Sequence, residues 1–568
     1  MGTCHFAHER LINRWGVYEF LLLRIVRADN MHSLKSPMLD GRRNVYAFGI
    51  GSALVTVGVV LHLPMFWMSR DVHYVLSGMA MDRSMYWGMA LIVGGIGCAA
   101  YGLLPKTRVG PSVADREWGR LAISSTTKLT TAHWGMSGLL ALALVIDIMK
   151  PASLGFVTPG MRSEYHLDGG TVAWLPFAAL FGTVVGSFLW GALADIYGRR
   201  ASILLSSVMF IGTSICGAMP DFWWNVGMCF LMGAAAGGML PVAYALLAEI
   251  MPARHRGWSL VLIGGIGSVG GYFAASGLSA LLQPIFGWRI MWFLNLPTGL
   301  LLVVLSPLLP ESARFLQHRG RKAEARAMFA KFGMTLHEEN ASSTAPAIAR
   351  TGQLPLPPVD RQFIGISLAL TLAALAWGLV NFGLLLWLPS ALVAEGRSVA
   401  ASSALIAKST LLAAPTIIIA AWLYSAWSTK WSLIIMIGVT ALGLLGLALR
   451  EMGVGALSNP LLPLTLVILG SCGAISILLP YTAENYPVRV RGRAAGWVAG
   501  CSKLGGLLAQ GLSVAGAVPA FGVAVVFISA PAAIALVLLV LFGHETRGID
   551  LGELDAAGHL RPKKRLVR

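Results

Sequence analysis

Fourteen stretches of the chain are apolar enough, and long enough, to cross ~30 Å of hydrocarbon as helices. They fall at about 45–66, 86–104, 133–158, 171–194, 201–219, 223–249, 258–282, 288–309, 363–394, 400–425, 431–449, 459–484, 494–518 and 519–543. Polar connections separate them, and among the connections between neighbouring apolar stretches of the later twelve only 310–362 is long. Its first part, Ala313 to Phe332, reads as a soluble helix, and its second, Ser342 to Pro358, as a Ser/Ala/Pro-rich linker. The pattern predicts an all-α membrane protein.

The pattern also repeats. Ala248-Glu249-Ile250-Met251-Pro252-Ala253-Arg254-His255-Arg256-Gly257 returns 235 positions later as Ala483-Glu484-Asn485-Tyr486-Pro487-Val488-Arg489-Val490-Arg491-Gly492. Glu311-Ser312-Ala313-Arg314 returns 234 positions later as Glu545-Thr546-Arg547. Two separate pairs at one offset argue for two homologous halves, an organisation found in transporters. The expected division is a tail at 1–44, two additional spans and a basic loop at 45–132, a six-span half at 133–309, the connection 310–362, a second six-span half at 363–543 and a tail at 544–568.

Composition agrees. Of 568 residues 56% are hydrophobic and only 12% charged, against about 25% charged in soluble domains. The mean hydropathy is +0.70. The 65 glycines and 18 tryptophans suit closely packed membrane helices with aromatic belts. A net charge of +17 does not imply a nucleic-acid partner, because the basic residues gather in alternate loops. Lys35, Arg42 and Arg43 precede the first span; Lys106, Arg108, Arg116, Arg120 and Lys128 follow the second; Arg199 with Arg200, Arg254 with Arg256, and Arg489, Arg491 and Arg493 mark later loops. The intervening loops hold Asp221, Glu395 with Arg397, or Arg450 with Glu451. The asymmetry predicts both termini in the cytoplasm. The six cysteines show no ligand or disulfide spacing, and the first 30 residues hold no signal peptide. Met31 or Met38 is an alternative to Met1 as the start.

Gly191-Ala192-Leu193-Ala194-Asp195-Ile196-Tyr197-Gly198-Arg199-Arg200 fills every fixed position of G-x-L-A-D-x-x-G-R-R/K, between the second and third spans of the first half. It resembles the signature loop of the major facilitator superfamily. The span containing Gly233, Gly237, Gly238, Pro241 and Tyr244, the two A-E-x-x-P-x-x-x-R-G runs, Pro310-Glu311-Ser312 and Glu545-Thr546-Arg547-Gly548 resemble the sugar-porter, synaptic-vesicle-like and aromatic-acid symporter branches. The resemblance covers about 133–553 and implies two six-helix bundles preceded by two extra helices, working by alternating access. It also implies a cytosolic gate built from Gly191, Asp195, Gly198, Arg199, Arg200, Glu249, Arg256, Glu311, Arg314, Glu484, Arg491 and Glu545. Its carboxylates would meet its arginines when the site faces outward and part when it opens inward. Static anchoring at the membrane surface is the alternative, since exposed ion pairs contribute only ~0–1 kcal/mol. Ser425 to Lys430, the equivalent loop of the second half, has lost the signature. Gly287-Trp288-Arg289 matches the family's opening of the sixth helix and is read as an interface anchor, with Asn295 beyond it.

Charges inside spans need a reason, because each costs ~2.5–3.5 kcal/mol or more at mid-bilayer. Asp147 and Lys150 stand in the first repeat span, where aromatic-acid symporters carry two aspartates. At spacing i, i+3 they share a helix face, either as a structural ion pair or as proton carrier and substrate contact. Lys408 and Lys503 lie in the second half, Lys408 open to a snorkelling role. Three lysines against one aspartate favour an anionic substrate. Tyr244, Tyr272, Asn381, Ser476 and Gln510 are candidate hydrogen-bonding partners, or core packing. The expected protein is therefore a proton-driven carrier of a small organic carboxylate or aromatic acid in a bacterial inner membrane, acting as a monomer without metal or cofactor. A sugar or polyol porter and a transport-inactive receptor or scaffold are the alternatives.

Overall fold

The computed structural model describes residues 42–104, 122–123, 128–312, 315–316, 321–333, 336–337, 360–453, 459–486, 488–517 and 521–547. Thirteen helical segments among them are long and apolar enough to cross a membrane. A further helix, Val488–Val514, has the length at 27 residues but carries Lys503 and Gln510 and is less apolar. It supplies the remaining span expected from the sequence. Ala122–Ile123 pairs antiparallel with Leu336–His337, the only strand pairing among the described residues.

The additional spans form a hairpin of α1 (Arg42–Val60) and α2 (Arg83–Leu103). They touch backbone to backbone: a Cβ added at Gly58 would stand 2.6 Å from the carbonyl oxygen of Gly88. Lipid gives helices no hydrophobic reason to associate, so such small-residue contact is what holds a membrane hairpin together. The hairpin packs on the outside of the first half. Val55, Val59, Phe66 and Ile92 share one cluster with Leu204, Val208 and Ile211 of the helix that begins at Arg199 and with Phe293.

The first half runs α3 (Thr131–Glu164), α4 (Trp174–Tyr197), α5 (Arg199–Gly212), α6 (Phe222–Ala236), α7 (Met239–Ile250), α8 (Ala253–Phe286) and α9 (Asn295–Leu305). Helix starts are written in the loops: Asp168 and Asp221 each accept two backbone N–H groups, satisfying donors that a helix N-terminus leaves open. Gly233 and Gly237, part of the family-like motif, let α6 lie directly on the backbone of α4, where an added Cβ would collide with Ala179 and Thr183. After the first half comes α10 (Lys322–Lys331), a shorter helix than expected over Ala313 to Phe332; the linker Ser342 to Pro358 lies outside the described residues.

The second half repeats the plan with α11 (Arg361–Leu379), α12 (Leu385–Ala394), α13 (Val399–Ala413), α14 (Thr416–Trp422), α15 (Thr429–Glu451), α16 (Leu461–Asn485), α17 (Val488–Val514) and α18 (Phe521–Phe542). Between α11 and α12 the helix widens into one π-turn, Val380–Leu384. Arg450 pairs with Glu395 at 2.8 Å and with Glu451 at 3.3 Å, so these loop charges neutralise one another.

Contacts between the halves concentrate toward the end bearing the loops at 165–168, 395–398 and 515–517. Gly155 of α3 lies against Leu386 of α12, Ser279 of α8 bonds Ser403 of α13 at 2.8 Å, and Gly170 lies beside Val514. Toward the basic-loop end the faces of α4 and α17 are bare: Phe188 is 78% and Trp497 64% exposed. The crevice between the halves is closed at the former end, and at the basic-loop end α8 still meets the second half, Gly257 lying against Tyr424.

Trp288 and Arg289 are not an interface anchor. Arg289 is fully buried and pairs with Glu164 at 2.6 Å. Its other guanidinium nitrogen donates to the Met219 carbonyl at 2.8 Å, and Trp288 Nε1 donates to Glu164 at 2.8 Å. Glu164 also accepts the backbone N–H of Leu76 at 2.8 Å and Ser77 at 3.1 Å. One carboxylate therefore ties the extra hairpin to the first half. A charge this deep needs such partners, because losing them would leave it unsolvated.

Candidate functional site

Asp147 sits in the middle of α3, one turn before Pro151. It is buried, and its Oδ1 has no hydrogen-bond partner. Of the two alternatives for Asp147 and Lys150, the structural ion pair does not form: Lys150 Nζ makes no hydrogen bond and lies 3.1 Å from the ring centroid of Phe210, inside the first half. The i, i+3 spacing offers contact but packing decides it, and the Phe210 face draws the ammonium away. Asp147 instead lies within electrostatic reach of Lys503 in α17, across the crevice, as well as of Lys150. Lys503 is mid-helix yet only half-buried, as befits a side chain on the crevice wall. Its Nζ stands 4.7 Å from the Phe382 ring centroid and 5.9 Å from that of Trp377, two rings set edge to face at 5.5 Å.

The π-turn builds this corner. Widening the helix frees carbonyls from the regular ladder, and buried carbonyls need donors. Tyr272 of α8 donates its hydroxyl to the Asn381 carbonyl at 3.1 Å, and Gln510 of α17 donates to the Phe382 carbonyl at 2.5 Å. Asn381 itself donates to the Trp377 carbonyl at 3.0 Å, leaving its Oδ1 buried and unpartnered. Gln510 and Tyr272 thus hold the corner, while Asn381 keeps a free acceptor beside it. The Tyr244 hydroxyl rests on Gly264 of α8, with Ser476 of α16 alongside. Lys408 lies on an exposed face of α13 and is not gathered with the others. Sequence reasoning passed over Trp377 and Phe382; Asn381 and Gly383 interrupting an apolar run are the only trace of the π-turn.

At the basic-loop end each half carries the same hydrogen-bond frame. In the first, Ser312 Oγ donates to Glu249 at 2.6 Å and the Arg199 backbone N–H donates to Glu311 at 2.9 Å. In the second, Thr546 Oγ1 donates to Glu484 at 2.6 Å and the Thr429 backbone N–H donates to Glu545 at 3.0 Å. Arg256 reaches the Met251 carbonyl at 3.5 Å, and Arg491 the Tyr486 carbonyl at 3.1 Å. Arg199 also forms an ion pair with Glu249. All these bonds stay within one half. Arg200 is buried within electrostatic reach of Glu311. Gly198, at φ +99°, turns the chain from α4 into α5 in a conformation other residues resist; Gly191 has open space around it. The Asp195 side chain and Arg314 lie outside the described residues.

The two closing carboxylates titrate in opposite directions. Burial raises the Glu311 carboxyl above the usual range, against the backbone N–H groups of Ser312, Arg199 and Arg200. Burial acts the same way on Glu545, but bonds from Ser428, Thr429 and Arg547 outweigh it and hold that carboxyl low. Among the described residues no His, Cys, Asp and Glu cluster could hold a metal ion.

Comparison with known proteins fits this geometry. A family model described as Major Facilitator Superfamily matches residues 139–510. The niacin transporter NiaP of Acinetobacter baylyi is 26% identical over 383 residues, 66% of this chain and 85% of that protein. The benzoate transport protein of the same species is 25% identical, covering 67% of this chain and 83% of that protein. The 4-hydroxybenzoate transporter PcaK of Pseudomonas putida is 27% identical over 67% of this chain and 85% of that protein. The inward-open xylose transporter XylE from E. coli shares the fold, with a TM-score of 0.56 at 16% identity over 75% of this chain and 99% of that one.

Proposed function

Because the chain belongs to the major facilitator superfamily, and so is an integral membrane transporter of small molecules, we propose that it carries a small aromatic carboxylate together with a proton. The observation that carries this reading is Lys503 flanked by Trp377 and Phe382, with buried Asp147 of the other half within its electrostatic reach. An ammonium flanked by two rings suits a ligand with a carboxylate and a flat apolar body. The relatives named for niacin, benzoate and 4-hydroxybenzoate support the same class.

Coupling then follows from charge balance. In the empty carrier, ionised Asp147 and Lys503 offset each other. A substrate carboxylate that takes Lys503 strips Asp147 of its counter-charge, and an uncompensated carboxylate in a low dielectric favours its protonated form. Both the empty and the fully loaded pair are neutral, while either half-loaded state carries a net charge that is costly to close away from water. Only the neutral states reorient, which yields symport of one proton with one monovalent anion.

The positive charge of the basic loops supports a cytoplasmic position for that end of the molecule and for both termini. The frames around Glu249, Glu311, Glu484 and Glu545 serve as the gate that joins across the halves when the crevice opens outward. One chain encloses the whole crevice, so a monomer in a bacterial-type inner membrane suffices.

The test is uptake of radiolabelled nicotinate, benzoate and 4-hydroxybenzoate into proteoliposomes under an imposed pH gradient, with xylose as the sugar arm. Acid outside should drive uptake of at least one carboxylate, and Asp147→Asn should abolish it while sparing counterflow exchange. Uptake of xylose alone, or proton-driven uptake unchanged in the variant, would refute the proposal.

A further inference from the structure

Lys150 points away from the crevice into a small cavity inside the first half. Ser153 of α3, Met232 of α6, Met291 and Trp292 in the helical turn just before α9, and Asn295 at its start line it beside the lysine. It has room for about one water molecule. Three of these residues are almost wholly buried, Lys150 at 2%, Trp292 at 3% and Asn295 at 2% exposure. In each, one donor lacks a hydrogen-bond partner: Lys150 Nζ, Trp292 Nε1 and Asn295 Nδ2. The Ser153 hydroxyl is already committed to the Met149 carbonyl at 2.7 Å. The residues lining a single cavity thus carry an unpartnered amine, indole N–H and carboxamide N–H, and no carboxylate is among them.

Buried donors without acceptors are costly, and a buried ammonium without a counter-charge more so. Phe210 offers its ring face to Lys150 from one side, which lessens that cost without supplying an acceptor. Asp147, one turn earlier, acts on Lys150 electrostatically but forms no hydrogen bond with its Nζ. What completes the site is a small acceptor carrying negative charge.

We propose that this cavity binds one monatomic anion, with chloride the abundant ion of fitting size and charge. The site is separate from the substrate crevice and does not depend on the reading of Asp147 and Lys503. A substrate carboxylate with its ring is too large for a space of one water molecule. The ion would fix α3, α6 and α9 to one another and neutralise Lys150 beside the coupling aspartate. The first half could then move as a rigid body with a defined internal charge.

The experiment measures thermal unfolding of the purified full chain in detergent, with sodium chloride titrated against sodium gluconate at constant ionic strength. Chloride should raise the midpoint by several degrees, saturably, and Lys150→Met should abolish the rise. Trp292→Phe should shift the chloride midpoint at least several-fold upward. Asn295→Asp carries its own anion into the cavity and should make stability independent of chloride. The last two variants keep the test valid if Lys150→Met does not fold. Equal stability in chloride and gluconate overturns the proposal, as does a chloride response that Trp292→Phe and Asn295→Asp both leave unchanged. Nicotinate competing with chloride for the same saturation also overturns it, since the cavity would then be part of the substrate path.

Discussion

Replacing Glu164 by Gln tests whether the extra hairpin is bound through a buried charge. Glu164 is 5% and Arg289 0% exposed, and they meet at 2.6 Å. Glutamine keeps one carbonyl oxygen for the N–H groups of Leu76 and Ser77. It also sets an NH2 group against the donors of Arg289 or Trp288, so at least one bond is lost and the guanidinium is left without its counter-ion. Its remaining acceptors, the carbonyls of Gly217 and Met219 at 3.3 and 2.8 Å and the Tyr165 hydroxyl at 2.9 Å, carry no full charge. Removing one partner of a buried pair costs about 3–5 kcal/mol, or roughly two to three and a half decades in the folding equilibrium. The assay is reversible unfolding in mixed micelles for the wild type, Glu164→Gln, Arg289→Gln and the double variant. The cycle should return a coupling of at least about 1.5 kcal/mol. Uptake per folded molecule should be unchanged, because the pair stands away from the crevice. A coupling below about 0.5 kcal/mol would show that the pair is incidental and that apolar contacts with α5 hold the hairpin.

Lys503→Gln should weaken carboxylate binding about 10- to 100-fold, the worth of one charge-assisted hydrogen bond of ~1.5–3 kcal/mol; equal affinity by scintillation proximity binding would remove Lys503 from the site. Gln510→Leu leaves the Phe382 carbonyl of the π-turn without its donor, a loss of about 1–3 kcal/mol, and both stability and uptake should fall, whereas unchanged unfolding would mean the turn is held by other contacts. Glu545 is held low by its bonds, so its contribution to stability is present above the ordinary carboxylate range and is lost as pH falls through its depressed value. The wild type should therefore unfold at higher temperature than Glu545→Gln at pH 6–8, with the gap closing only below about pH 4.3; a gap that closes near neutrality would contradict the assigned direction.

Helix number, the duplicated halves and the carboxylates of the basic-loop end were legible in the sequence because each leaves a local mark. Apolar length marks a span, a recurring Glu-x-x-Pro a helix end, and a lone Asp in a short loop a cap. The central corner was half legible. Asp147 and Lys503 stood out as charges in apolar runs, but their juxtaposition depends on how two distant helices face, which no local pattern records. The same holds for Lys150, three residues from Asp147 and yet directed into the bundle by Phe210, a residue 60 positions away. Trp377 and Phe382 look like any aromatic residues of a span until the fold brings Lys503 against their rings. Arg289 was legible as a motif and misplaced in depth, because nothing near it in the chain announces Glu164.

The lost signature of the second half has a physical explanation. What Glu311 takes from the start of α5 is the backbone N–H of Arg199, and what Glu545 takes from the start of α15 is the backbone N–H of Thr429. A backbone donor can be supplied by any residue except proline, so the loop sequence is free to drift while the bond persists. Thr429 adds its hydroxyl at 2.7 Å and Ser428 a further bond, both to Glu545, so the loop of the second half contributes neutral donors where that of the first contributes the charge of Arg199, paired with Glu249. The two frames therefore share a shape but differ in their response to salt. Ion pairs near the surface weaken as salt screens them, whereas hydroxyl and amide bonds do so much less. If each frame must loosen for the halves to meet across the crevice, raising ionic strength should ease the first half's frame before the second's. The outward-open state would then become more populated with salt through Arg199 and Glu249. Cysteine-accessibility labelling of the outer end, compared between wild type and Arg199→Gln, would register that as a salt response the variant lacks; a response of equal size in both would assign the salt sensitivity to other charges.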